Sequence, residues 1–283
     1  MLVVEVLGDD DARAIADQLR DLAAGGPVEV RVAAHPERPA AIVLAATGYL
    51  RDAGAEAVER DAYAVAAPAD VPRLWRERLQ PYARFLAGAP VPSSAAVLRD
   101  WDPGWPSAAA RLLRRLRQTL AGGDGTPYRF DHIGSTSVPG LEAKPILDLQ
   151  IVVAALPDDE DALRRRLLRV GFLPARGARP DSPGVTHDGA AGSAVARLPK
   201  RLFHSPDPGQ FAILHIRLTA SPFAEATVHF RDWLAADPAN RDRYAALKAQ
   251  LADAHRHDGD YDDYTHGKSA FVTAALAAST VRR

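Results

Sequence analysis

His132-Ile-Gly-Ser-Thr-Ser-Val-Pro-Gly-Leu-Glu-Ala-Lys-Pro-Ile-Leu-Asp148-Leu-Gln150 reads as a strand end, a glycine–hydroxyl turn and a second strand that carries an aspartate. Gly134 permits a tight bend and a close backbone approach, and Ser135 and Thr136 add hydroxyl donors. A turn of this kind presents backbone N–H groups to phosphate. A carboxylate on the next strand can hold a divalent cation between protein and phosphate oxygens. Strand side chains alternate between faces, so Asp148 and Gln150 share one side while Leu147, Leu149 and Ile151 line the other. A carboxylate in so apolar a strand is costly to bury alone. A metal ion or Lys144 would offset that cost, and a structural salt bridge is the competing reading.

The rest of the chain sets bounds on this site. Its 283 residues are 47% hydrophobic and 25% charged, as in an ordinary globular protein. A formal net charge of −1 argues against a general nucleic-acid binder. Arg111, Arg114, Arg115 and Arg117, interleaved with Leu112, Leu113 and Leu116, predict an amphipathic helix with a solvated basic face, anion contact being the alternative. No apolar run reaches the roughly 18 residues of a membrane span, and MLVVEVLGDDD lacks the basic start of a secretory signal. The absence of cysteine excludes disulfides and thiolate metal sites, and together these features point to the cytoplasm.

Residues 1–88 read as a small α/β domain, 89–96 as a proline-containing linker, and 97–283 as the main domain. In the first, strands are expected at Leu2–Val6, Val28–Ala33, Ala41–Ala45 and Tyr63–Ala66. Helices are expected around Ile15–Leu22, Tyr49–Glu59 and Val71–Ala87. The main domain should open with a helix from Pro106 to about Ala121. Strands at Tyr128–Ile133, Pro145–Val153, Ala196–Phe203 and Gln210–Leu218 follow, with a helix at Asp159–Val170. Gly177–Gly192 is a candidate lid, and three helices, roughly 223–236, 239–255 and 260–278, close the chain. Counting from Asp258, the acidic run His255–Asp263 lacks the glycine and glutamate of a calcium loop. It reads as an interhelical turn that supplies a helix cap.

The turn–strand spacing resembles the Gly-Ser signature of the polymerase-β-like nucleotidyltransferase fold. Within that superfamily, His132 to Asp148 looks like the hallmark of the GrpB family. The resemblance extends to Asp102-Pro-Gly-Trp-Pro106, Leu214-His-Ile-Arg217, Phe230-Arg-Asp-Trp-Leu234, Tyr244-Ala-Ala-Leu-Lys248 and Tyr264-Thr-His-Gly-Lys268. It implies an α+β fold, a mixed sheet with a C-terminal helical bundle, preceded here by the small α/β domain. It also implies a nucleotide-dependent transferase or ligase acting on an unknown small-molecule acceptor. Asp148, His215 and Lys144 would be catalytic, and Asp148 would hold Mg²⁺. Gly134, Ser135, Thr136, Gln150, Arg217, Lys248 and Lys268 would bind ATP or another nucleoside triphosphate. Gln150 departs from the pattern, which places a second carboxylate there, and two-metal catalysis needs anionic ligands on both ions. That departure favours the alternative of a non-catalytic module, regulatory or scaffolding, that binds a nucleotide or CoA-like ligand. Leu74 to Tyr82 resembles the tail of a dephospho-CoA kinase in kinase–GrpB fusions. Residues 1–96 carry no phosphate loop of the Gly-x-x-x-x-Gly-Lys-Ser/Thr type, so kinase activity is not expected.

Overall fold

The structure, a computed structural model, describes residues 1–36, 39–120, 129–175, 186–188 and 198–280. Two sheets organise it. The first is parallel, with strand order β2-β1-β3-β4, built from β1 (Leu2–Leu7), β2 (Val28–Ala33), β3 (Ile42–Ala46) and β4 (Ala64–Ala66). Its central strands, β1 and β3, are buried along their length, which is why β3 reads as an unbroken apolar run and β1 as one interrupted only by Glu5. Helix α1 (Asp10–Leu22) lays Ala12, Ile15, Ala16 and Leu19 on one face. Its entry, Gly8-Asp9-Asp10-Asp11, puts carboxylates where a phosphate loop would offer N–H groups. The helix expected at Tyr49–Glu59 is two, α2 (Thr47–Ala53) and α3 (Ala55–Asp61), parted by Gly54 at φ 81°. The helical segment after β4 comprises α4 (Val71–Leu74), a π-helical turn (Trp75–Leu79) and α5 (Gln80–Leu86). Pro81, with no N–H to close on the carbonyl four residues back, sits just beyond the π turn.

After an extended stretch, α6 (Gly104–Leu120) leads into a mixed sheet of order β5-β6-β9-β8-β7. Its strands are β5 (Arg129–Ile133), β6 (Ile146–Val153), β7 (Leu173–Pro174), β8 (Lys200–Ser205) and β9 (Phe211–Leu218). Only the β6–β9 pair is parallel. One face, with Leu147, Leu149, Ile151, Leu214 and Ile216, packs on α6 and α7 (Glu160–Arg169). The other carries the polar residues. Strand β8 begins at Lys200, later than the expected Ala196, and most of the lid candidate Gly177–Gly192 lies outside the described residues. The C-terminal helices are α8 (Pro222–Ala236), α9 (Pro238–Ala254), α10 (Asp262–Gly267) and α11 (Ser269–Thr280), so the last expected helix is two. The acidic turn ahead of α10 is held by Asp260, whose carboxylate accepts from the Asp262 N–H at 2.9 Å; the cap residue itself is Tyr261.

The two sheets meet across a dense seam. Arg78 donates two hydrogen bonds to the Asp207 carboxylate, at 2.8 and 2.7 Å. The Tyr82 hydroxyl donates to Gly171 O at 2.9 Å and shares a hydrogen bond with Ser205 Oγ. The expectation of a solvated arginine face on α6 is corrected here. Arg111 donates to Glu59 O and Arg114 to Arg60 O at the end of α3, and Arg115 lies 4.0 Å from Glu5. The last carbonyls of a helix have no partner within it, and their negative dipole end attracts cations. Arg117 instead covers the Phe130 ring at 4.6 Å.

Candidate functional site

The Gly134 turn connects β5 to a short 3-10 turn at Ser135–Ser137, and the chain then returns through Lys144 into β6. Gly134 holds φ 72°, and a Cβ there would lie 2.8 Å from Asp148 Cβ and 2.9 Å from its Cγ. Only glycine allows the turn to lie on the aspartate. Ser137 Oγ donates back to Gly134 O at 2.5 Å and so fixes the bend. Burial raises the Asp148 carboxyl above its ordinary range, while Lys144, Lys268 and Arg217 pull it down.

Side chains from α9, from α10 and its flanks, and from Lys144 roof this floor. Lys144 Nζ sits 3.5 Å from the Tyr261 ring centroid and 5.2 Å from that of Tyr264. Lys268 Nζ approaches the Tyr264 ring at 4.3 Å, so one ring meets two ammonium groups. Burial raises the Tyr244 hydroxyl of α9, an effect that the neighbouring Ser135 side chain opposes. Burial lowers Lys144 to about 8, helped by the charge of Lys268 and opposed by Asp148 and Asp262. Burial likewise lowers Lys268 to about 8 against the pull of Asp148. The arrangement sets two partly desolvated ammonium groups near one carboxylate, and an anion placed beside them would stabilise both charged lysines.

The structure thus brings Gly134, Ser135, Lys144, Asp148 and Lys268 together. It places the other expected residues behind them. Gln150 is fully buried: its amide N–H₂ donates to Asp131 and Ala224 O, and its oxygen accepts from Arg217 and Thr227. All four of its hydrogen-bonding positions are used, leaving none for a nucleotide. Thr136, 1% exposed, is shared between His132 Nε2 and Ile146 O. Lys248, also 1% exposed, donates to Glu142 O, and burial lowers it to about 7. Arg217 is buried and divides its donors among Asp188, Gln150 and His215. Since a guanidinium only donates, His215 Nδ1 accepts and its proton resides on Nε2. Burial, with Arg217 and Lys200, holds this imidazole neutral far below its usual range. Its Nδ1 is engaged by Arg217, so only the Nε2–H side of the ring is left to meet a ligand.

Magnesium does not fit these residues. Among the described residues, the charges that bear on Asp148 are the cations Lys144, Lys268 and Arg217. The next carboxylate on this sheet face, Asp131, is held by Arg129 Nε and Gln150 Nε2 at 3.0 Å each. A hard divalent ion needs several oxygen ligands, and the charge partners here are ammonium groups.

The sequence reading missed Tyr261 and Tyr264 as site walls and Asp188 as the partner of Arg217. A signal existed for part of this. Tyr244/Lys248 and Tyr264/Lys268 are both four apart, the helical spacing that stacks a side chain over its neighbour. Both lysines do lie over their tyrosines, at 5.3 and 4.3 Å.

Comparison with known proteins covers the same part of the chain. A family model described as GrpB protein matches residues 95–278. A dephospho-CoA kinase of Mycolicibacterium paratuberculosis is 34% identical over 211 residues, covering 72% of this chain and 50% of its own length. The chain therefore spans about half the length of that relative, a relation consistent with a fusion. A UPF0157 protein of Halalkalibacterium halodurans is 32% identical over 183 residues, covering 64% of this chain and 81% of that protein. The crystal structure of conserved protein GrpB from Enterococcus faecalis gives a TM-score of 0.51 at 26% identity, covering 66% of this chain and 98% of that one.

Proposed function

Because the chain belongs to the GrpB family, with residues 95–278 matching its model, we propose that this site binds a small phosphate-bearing molecule of nucleotide or CoA type without a protein-bound divalent metal. The observation that carries the reading is the pair Lys144 and Lys268, both lowered to about 8 and packed on Tyr264 above Asp148. A lysine kept partly desolvated beside a phosphate turn is a poor stabiliser of the empty protein and a good partner for an anion. Gly134 and Ser135 would take one phosphate edge, and the tyrosine rings would cover the body of the ligand.

The test is a thermal-shift titration of the full chain with ATP and with CoA, with and without Mg²⁺. A ligand that binds the native state raises the melting temperature by mass action. The expected result is a shift that needs no Mg²⁺ and disappears in Lys144→Ala/Lys268→Ala. A shift that requires Mg²⁺ and vanishes in Asp148→Ala would overturn the metal-free reading.

The pH dependence has a worked sign. Both lysines have native pKa values near 8 and unfolded values of about 10.4. Between these limits the unfolded chain binds more protons, so their contribution makes the empty protein gain stability as pH rises from 8 to 10. Anion binding needs the protonated lysines, so the ligand-induced shift must shrink over the same window. Parallel pH trends for empty and loaded protein would exclude the two lysines as the ligand's partners.

A second reading, group transfer to a small-molecule acceptor, is favoured by one observation. Asp148 is raised and Lys144 lowered, so the two groups approach each other's range. Under this reading Asp148→Asn keeps ligand binding and abolishes turnover.

A further inference from the structure

The chain carries 35 lysine and arginine residues, and only four of them are lysines: Lys144, Lys200, Lys248 and Lys268. Arginine supplies the rest of the side-chain ammonium-type charge, and none of the four lysines is exposed. Burial lowers all four, to about 8, 8, 7 and 8 in chain order. A guanidinium keeps its proton at any working pH, whereas a desolvated amine can release one. A position that needs only charge can be filled by arginine; one that needs a neutral nitrogen cannot.

Two of the four are committed elsewhere. Lys248 donates to Glu142 O, and Lys200 lies 3.6 Å from the Asp188 carboxylate. Among the described residues Lys144 and Lys268 have neither a hydrogen bond nor an ion pair, only the tyrosine rings. Both nitrogens reach water, since neither belongs to the buried polar atoms that lack a partner. Lys144 also stands on fixed backbone. Ala143 exchanges two hydrogen bonds with Arg99, at 2.8 and 2.9 Å, and Pro145 follows. The charge of Lys268 adds to the lowering of Lys144, Asp148 and Asp262 oppose it, and the rings of Tyr261 and Tyr264 face the amine. A lysine set among apolar groups beside a second cation is activated as a nucleophile toward carbonyl carbon.

Resting on the reading of this site as one that binds phosphate, we propose that Lys144 forms an imine with a phosphate-bearing aldehyde or ketone, whose phosphate Lys268 holds. The neutral amine attacks the carbonyl carbon, and a C–N bond forms as the C=O π pair moves to oxygen. That oxygen takes up two protons and leaves as water, while the nitrogen gives up its two. Amine and carbonyl thus become imine and one water, and the step consumes no oxidant, reductant or further reactant.

The experiment treats the full wild-type chain with pyridoxal phosphate, an aldehyde that carries a phosphate, reduces the imine with borohydride and maps the modified lysine by mass spectrometry. Lys144 should be labelled ahead of the other three, and more slowly by pyridoxal, which lacks the phosphate. With pyridoxal as probe, Lys268→Met should slow labelling of Lys144 at neutral pH, about tenfold for each unit by which the amine returns toward the ordinary lysine range. The rate should recover as pH rises. Labelling led by another lysine, or a Lys144 rate indifferent both to the phosphate and to Lys268, overturns the proposal. Preferential labelling of Lys144 without an ATP-induced thermal shift would support the imine and count against the nucleotide reading. An ATP-induced shift with Lys144 unlabelled would overturn the imine and leave that reading standing.

Discussion

Replacing Arg78 with alanine is expected to destabilise the protein by about 3–5 kcal/mol, the usual cost of removing one partner from a buried ion pair. The side chains of Arg78 and Asp207 are only 14% and 5% exposed, and both arms of the fork are engaged. Truncation leaves a buried carboxylate that still accepts from the Gly209 N–H at 2.9 Å. Most of the loss should return in Arg78→Met/Asp207→Leu, because apolar groups of similar volume leave no charge stranded. Urea unfolding of the two variants checks this directly. A single-variant loss below about 1 kcal/mol would mean that the pair behaves like a solvated surface bridge. Because Arg78 precedes the family-matched region and Asp207 lies within it, the same measurement reports how firmly the two sheets are joined.

Gly134→Ala is the second large effect. The alanine must hold φ 72° with ψ −174°, a region essentially reserved for glycine, which costs about 1–3 kcal/mol for an L-residue. Its Cβ must also clear Asp148 Cβ at 2.8 Å, and overpacking of this kind adds about 1–3 kcal/mol. The expected total is about 3 kcal/mol, with loss of the ligand-induced thermal shift. Gly140 provides the control, since its φ is 75° but a Cβ there would meet nothing nearer than the Arg241 guanidinium at 3.8 Å. Gly140→Ala should therefore carry only the conformational cost. Equal losses in the two variants would show that Asp148 yields freely and that the turn does not rest on it.

Strand β6 and its turn were legible because both obey local rules. The apolar side of Ile146–Val153 alternates with period two, and a glycine precedes the hydroxyls. Gln150 is held by partners that the local pattern does not contain. Its four partners come from Asp131, Arg217, Ala224 and Thr227, and nothing near Gln150 in sequence announces them. Position on a face could be read, but whether an amide arrives there already satisfied could not. Lys248 and Lys268 show the same limit from the other side. Both stack on a tyrosine four residues back, yet Lys248 turns to Glu142 O while Lys268 turns to Asp148. The sequence spacing is identical, and the helix packing decides between them. Splitting of the last helix into α10 and α11 followed the same logic, since Gly267 lies against Leu251 of α9, a contact absent from any local pattern.

The arginines of α6 grip α3 by its main-chain carbonyls, at Glu59 and Arg60. A carbonyl is the same group whatever side chain it belongs to. This part of the seam therefore constrains the length and placement of the helix, while leaving its lettering open. Substitutions at the exposed positions of α3 other than Glu59 should be absorbed with little effect on docking, whereas inserting or deleting one residue would turn the carbonyls about 100° around the axis and release the grip. Over long divergence such a joint can be kept by chains that no longer resemble one another there, and a different α/β segment ending in a helix at the same place could take its seat.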